Sequence, residues 1–118
     1  MSRRELVQLR AAKEAKRQEL KEQREAIIAA PITNVQVGTL EDRENIKGTI
    51  DNFSVLAPSG SINWVMVDNT IQSLSQSDLQ AVIDTYIGRK AQTFNDYGVK
   101  LTELQNASTV EEVEIITW

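Results

Sequence analysis

No glycine or proline occurs between Met1 and Pro31, and this constrains the chain more than any other feature. The stretch is dominated by Ala, Glu, Lys, Arg, Gln and Leu, all strong helix formers. Ser2 with Glu5 three positions on has the spacing of a capping box. A helix is therefore expected from about Arg3 to Ala29, stopped by Pro31, because the residue before a proline is pushed out of the α region. Its apolar stripe is thin. Leu6, Leu9, Leu20 and Ile27 fall on a heptad seam whose other members are Lys13, Lys16 and Gln23, so the coiled-coil register is broken in the middle. An isolated helix of this kind is marginal in water. It either finds a partner, copies of itself or another protein, or it remains a solvated helix that frays. Residues 1–30 are thus read as a helical arm, coiled-coil or partner-binding, and residues 31–118 as a small α+β domain.

Charge follows the same division. Residues 1–25 hold eight Lys/Arg against five Glu, while the remainder holds five Lys/Arg against twelve Asp/Glu. The arm is mildly basic and the body acidic. Nucleic-acid binding is nevertheless disfavoured, because the acidic residues are interleaved with the basic ones, as in Arg10/Glu14 and Lys21/Glu25, and no aromatic residue in the arm can stack on a base.

Cysteine and histidine are both missing from the sequence. That removes disulfides, zinc thiolate sites and thiol nucleophiles, together with the commonest general acid–base group and metal ligand. Asp42, Glu44, Asp51 and Asp68 are the carboxylates an enzyme or metal reading would have to use, but their contexts are caps and turns. The expectation is a non-enzyme with no cofactor and no metal. No apolar run approaches the ~18 residues of a membrane span, and no signal-peptide core follows the first residues. A soluble, unexported protein with no membrane partner is expected.

Beyond Pro31, Asn34 to Gly38 alternates polar and apolar residues and reads as a short strand. Thr39 and Asp42 have capping-box spacing ahead of a second helix from about Leu40 to Asn52, with Leu40, Ile46, Ile50 and Phe53 on one face. Ile62, Trp64 and Met66 then alternate with Asn63, Val65 and Val67, and Asp68-Asn69 suits a tight turn into a returning strand over Thr70 to Leu74. A two-stranded hairpin needs helices beneath it, and Trp64 is the natural anchor. Ser75 and Asp78 repeat the capping pattern before the longest amphipathic stretch, a helix from about Gln76 to Gln105. The core is expected from Trp64, Met66, Ile83, Ile87, Phe94 and Leu101, with the surplus length of this helix free for oligomer contacts. Ser108 or Thr109 should cap a short turn, and Val113 to Trp118 reads as a terminal strand or docking tail. The fold class is α+β and mainly helical: a long N-terminal helix, a short helix, a small antiparallel hairpin and a long C-terminal amphipathic helix.

The helix with Leu-Glu-Asp-Arg-Glu-Asn-Ile-Lys-Gly-Thr-Ile, the stretch Ile-Asn-Trp-Val-Met-Val-Asp-Asn-Thr, then Leu-Ser-Gln-Ser-Asp-Leu and Ala-Ser-Thr-Val-Glu-Glu-Val follow in order. This succession, over about residues 20–117, resembles a domain of unknown function that recurs in phage tail-fibre and tail-fibre-assembly proteins. The resemblance implies a protein that binds a tail-fibre or baseplate component as assembly chaperone or structural subunit, in the host cytoplasm during assembly or in the virion tail. It carries no catalytic residues. Leu6, Leu9, Leu20, Ile27 and Trp118 are the candidate partner-binding residues. The alternative is a self-associating coiled-coil structural or adaptor protein, a homo-oligomer without a chaperone role.

Overall fold

In a computed structural model that describes residues 1–118, the chain is mainly helical, as the sequence leads one to expect. The elements run α1 (Arg3–Ala29), α2 (Leu40–Asp51), α3 (Phe53–Leu56), β1 (Ile62–Val65), β2 (Ile71–Leu74), α4 (Gln76–Asn106) and α5 (Val110–Glu114). They form two compact units. One comprises Met1–Ile27 with Ala91–Trp118, the other Ile28–Lys90.

This division corrects the expected one. Residues 1–27 are not a free arm, because the covering that the α1 seam requires comes from the chain itself. Leu9 and Leu20 are buried against Leu104 of α4, Ala107, Val113 of α5 and Ile116, with Tyr97, Leu101 and Trp118 packed around them. α1 and α4 run antiparallel within this unit: Lys13 Nζ donates to the carbonyl of Gln105 at 3.2 Å, whereas Arg24, further along α1, lies over the rings of Phe94 and Tyr97. Two of the polar seam members, Lys13 and Lys16, are used as well. The buried Lys16 places its ammonium 3.5 Å from the Glu114 carbonyl and 3.1 Å from the Glu19 carboxylate, so its stem packs while its charge keeps partners.

The terminal segment is held in the same way. Thr109 caps α5 by accepting from the Glu112 N–H, and the Ser108 N–H donates to the Glu112 carboxylate at 2.8 Å. Val113 and Ile116 are buried, and Trp118 stacks on Tyr97 at 6.2 Å. Of the two readings of this tail, docking holds and a strand does not. The surplus length of α4 is therefore occupied by α1 and this tail.

The second unit has its own core, in which Ile28, Val35, Val37, Ile46, Phe53, Met66, Leu79, Val82, Ile83 and Tyr86 meet. α1 ends here, and since it has no basic residue in its last turn, Arg89 of α4 supplies one, donating to the carbonyls of Ile28 and Ala30 at 2.7 and 2.6 Å. The capping box of Thr39 and Asp42 is present at the start of α2, and Ser75 with Asp78 forms the same reciprocal pair ahead of α4.

The expected strand over residues 34–38 does not form; the chain makes a two-residue turn at Thr33-Asn34 and runs on without regular structure through residues 36–38. Ile32 and Val35 exchange both backbone hydrogen bonds, and Thr33 and Asn34 between them have φ of 47° and 65°, the left-handed pair that a tight reversal needs. Alternation in the sequence could not separate this from a strand, because Val35 and Val37 are buried in either case. Gly38 then passes so close to the end of α1 that an added Cβ would lie 3.2 Å from the Ala29 carbonyl oxygen.

Several expected core positions differ. Met66 and Ile83 are buried, and Trp64 and Leu101 half-buried, but Ile87 is 58% and Phe94 45% exposed. α4 serves two separate cores, and its buried positions do not form the single stripe that helical spacing suggested. Leu40, expected on the inner face of α2, is exposed.

Removing the fully buried Leu20 side chain tests the seam. Leu20→Ala should cost about 3 kcal/mol in denaturant unfolding, whereas Leu6→Ala, at an exposed seam position, should cost less than about 0.5 kcal/mol.

Candidate partner-binding site

The hairpin is where the chain presents backbone as well as side chains. β1 and β2 pair antiparallel with Ile62 opposite Leu74, Asn63 opposite Ser73, Trp64 opposite Gln72 and Val65 opposite Ile71. The Met66 N–H donates to the Thr70 carbonyl at 2.8 Å, which fixes the phase of the ladder. In an antiparallel pair, hydrogen-bonded and non-hydrogen-bonded positions alternate. Ile62 and Trp64 therefore turn their backbone groups toward β2, and Asn63 and Val65 turn theirs outward. Val67, next in the outward series, gives its N–H to the Asn34 carbonyl at 2.8 Å. Asn63 and Val65 have no such partner.

Beside this edge runs a groove of about 520 Å³ whose opposite wall is α2. Asp42, Asn45 and Thr49 line it, at the three- and four-residue spacing that puts them on one helix face. Gln36 and Asn69 lie at its margins, and Trp64 and Met66 contribute from β1 and its extension. Thr49 and Asp42 are committed locally, the Thr49 hydroxyl to the Asn45 carbonyl at 2.7 Å and the Asp42 carboxylate to the Thr39 N–H at 3.2 Å. The side-chain amides of Gln36, Asn45, Asn63 and Asn69 make no hydrogen bond within the chain. Asp42 is the one charged residue in the lining. Arg43, its neighbour, is directed to the Val37 carbonyl at 2.8 Å and over the Tyr86 ring.

On the outer face of the hairpin Val65 and Ile71 are cross-strand neighbours, 62% and 66% exposed. β-branched pairs of this kind stabilise sheets when covered. The tip is built by Met66, Asp68, Asn69 and Thr70. Asn69 has φ of 64° and its N–H donates to the Met66 carbonyl at 3.0 Å. The Thr70 hydroxyl and the Thr70 N–H both donate to Asp68 Oδ1, at 2.6 and 3.1 Å. These two bonds, the hydroxyl first, hold the Asp68 carboxyl below the usual aspartate range.

The residues expected to bind a partner are placed otherwise. Leu9 and Leu20 are buried within their own unit, Ile27 and Trp118 are half-buried, and only Leu6 remains exposed. Trp118 sits at the end of a ladder in which Arg24 covers Phe94 and Tyr97, Tyr97 stacks on Trp118, and Lys100 lies over the indole. This anchors the terminus. Asn45 carries no mark in the sequence, and Gln36 is marked there only as a polar position of the expected strand over residues 34–38. The alternation around Trp64 marked Asn63 and Val65 as outward, but nothing local could say that a helix face lies opposite them.

Because its folded-state pKa is depressed, Asp68 supports the tip above the unfolded aspartate pKa, and that support is lost as pH falls through the folded value. Thr70→Val keeps the N–H and removes the hydroxyl, so the Asp68 titration midpoint should rise toward the ordinary aspartate value. A carboxyl carbon NMR titration reads this directly.

A family model, described as a domain of unknown function, matches residues 11–117. No curated protein and no solved structure matches the chain.

Proposed function

The chain belongs to that family, DUF4376, and from this premise we propose that it works by protein–protein contact, binding a phage tail-fibre or baseplate component as an assembly chaperone or structural subunit. The phage assignment is supported by the ordered resemblance of the segments around Leu40 to Ile50, Ile62 to Thr70, Leu74 to Leu79 and Ala107 to Val113. The observation that carries the contact role is the outer edge of β1: unpaired backbone of Asn63 and Val65, a polar groove alongside, and an exposed aliphatic pair on the adjoining face. Unpaired strand edges are sites where another chain adds. A chain without His or Cys suits that role better than acid–base or thiol chemistry. The setting proposed is the host cytoplasm during assembly or the virion tail.

Self-association through the α1 seam has less support, since Leu9 and Leu20 would have to leave the core in which they are buried. Co-expression with tail-fibre and baseplate proteins encoded beside this chain tests the proposal. One of them should co-purify through size exclusion, and Val65→Asp, which puts a charge on the exposed aliphatic pair, should weaken the complex by about tenfold or more. Recovery of the chain alone from every such co-expression would contradict the role.

A further inference from the structure

We propose that the groove between β1 and α2 takes an extended, neutral or basic segment of the partner, which adds to β1 as a third antiparallel or parallel strand. This deepens the protein-contact reading and rests on it. Four backbone groups, the N–H and C=O of Asn63 and Val65, face the groove at the two-residue interval with which a neighbouring strand pairs. Across from them Asn45 offers a carboxamide, and Gln36, Asn63 and Asn69 offer three more. A carboxamide carries the same donor and acceptor as a peptide group, so Asn45 on the wall facing β1 can pair with one peptide group on the second edge of an inserted strand, and the other three carboxamides can reach its neighbouring polar groups. The half-buried Trp64 supplies apolar surface for a side chain of that strand.

The occupant is a single segment because α2 closes the far side, leaving no room for the sheet of a second copy. Its charge follows from the lining, in which the carboxylate of Asp42 is joined by no Lys or Arg. Asp68, at the hairpin tip next to Asn69, adds a carboxylate that is exposed, where Asp42 is half-buried. The edge of β2 is less suited: the groove beside it is lined by one carboxamide, Gln72, where that of β1 has four. The length of β1, four residues, sets the pairing at roughly 13 Å of extended chain.

The test uses the full-length, isotope-labelled protein and synthetic peptides obtained by selection from a random peptide library on that protein. Selected peptides should be neutral or basic and should shift the amides of Asn63 and Val65 most. Methylating alternate backbone nitrogens of a selected peptide should weaken it by about tenfold or more, and methylating the intervening ones should not. In the protein, Val65→Pro removes one outward N–H at an edge position where proline is tolerated, and should abolish binding. Asn45→Lys, at an exposed helix position, keeps the hairpin sequence intact and should weaken basic peptides selectively. Selection that yields no binder at this edge, or binders insensitive to backbone methylation, overturns strand addition. If a tail protein co-purifies with wild type and with Val65→Pro alike, strand addition fails while the contact role stands. If peptides add to the edge but no tail protein binds, strand addition stands and the phage role fails.

Discussion

A two-stranded sheet can satisfy only half of its backbone groups between its own strands, and the 28–90 unit is organised by that constraint. Its hairpin cannot stand alone, so the inner residues Ile62, Trp64 and Met66 rest on a base in which α2, α4 and the turn at Ile32–Val35 contribute side chains. The turn does more than fill space. It brings the Asn34 carbonyl to the N–H of Val67, which closes the outer edge at one point. To do so it holds Thr33, a β-branched residue, in the left-handed region, at a cost of roughly 1–2 kcal/mol. The rest of that edge is left open and is flanked by α2. Closure at Val67 and openness at Asn63 and Val65 define where a partner strand could begin and end.

The other unit resolves a different shortage. α1 has too few apolar residues for a continuous seam, and the gap in the middle is filled by Lys16, whose ammonium reaches a main-chain carbonyl near the C-terminus and a carboxylate one turn away. Burying a cation is tolerable when it is hydrogen-bonded and paired. The pairing also fixes how α1 lies against α4 and α5, because Lys13 reaches Gln105, Lys16 reaches Glu114 and Arg24 covers Phe94 and Tyr97. A thin apolar stripe thus becomes a specified interface within the chain. That explains why Leu9 and Leu20 are not exposed to a partner.

Much of the fold was legible wherever the signal was local. The bounds of α1 follow from a run free of Gly and Pro, the starts of α2 and α4 from Thr39/Asp42 and Ser75/Asp78, and the hairpin from the alternation around Trp64 and the Asp68-Asn69 turn. The failures are non-local. Heptad spacing shows that α1 wants covering but not that α4 covers it, so an integral helix reads as an arm. Ile87 and Phe94 keep helical spacing with the core positions, yet one is exposed and the other serves as the surface on which Arg24 lies. At residues 32–35, a turn that buries Val35 gives the same alternation as a strand. The groove required two elements to be known in space, and only its β1 side had a trace in the sequence.

Native-state hydrogen exchange along β1 tests the central claim, that the outer edge of the hairpin is open in the folded protein. The amides of Trp64, Met66 and Val67 should be protected, while those of Asn63 and Val65, between them in sequence, should exchange at nearly the rate of an unstructured chain. Equal protection at Asn63 and Val65 would mean that the edge is already paired, and would contradict the account.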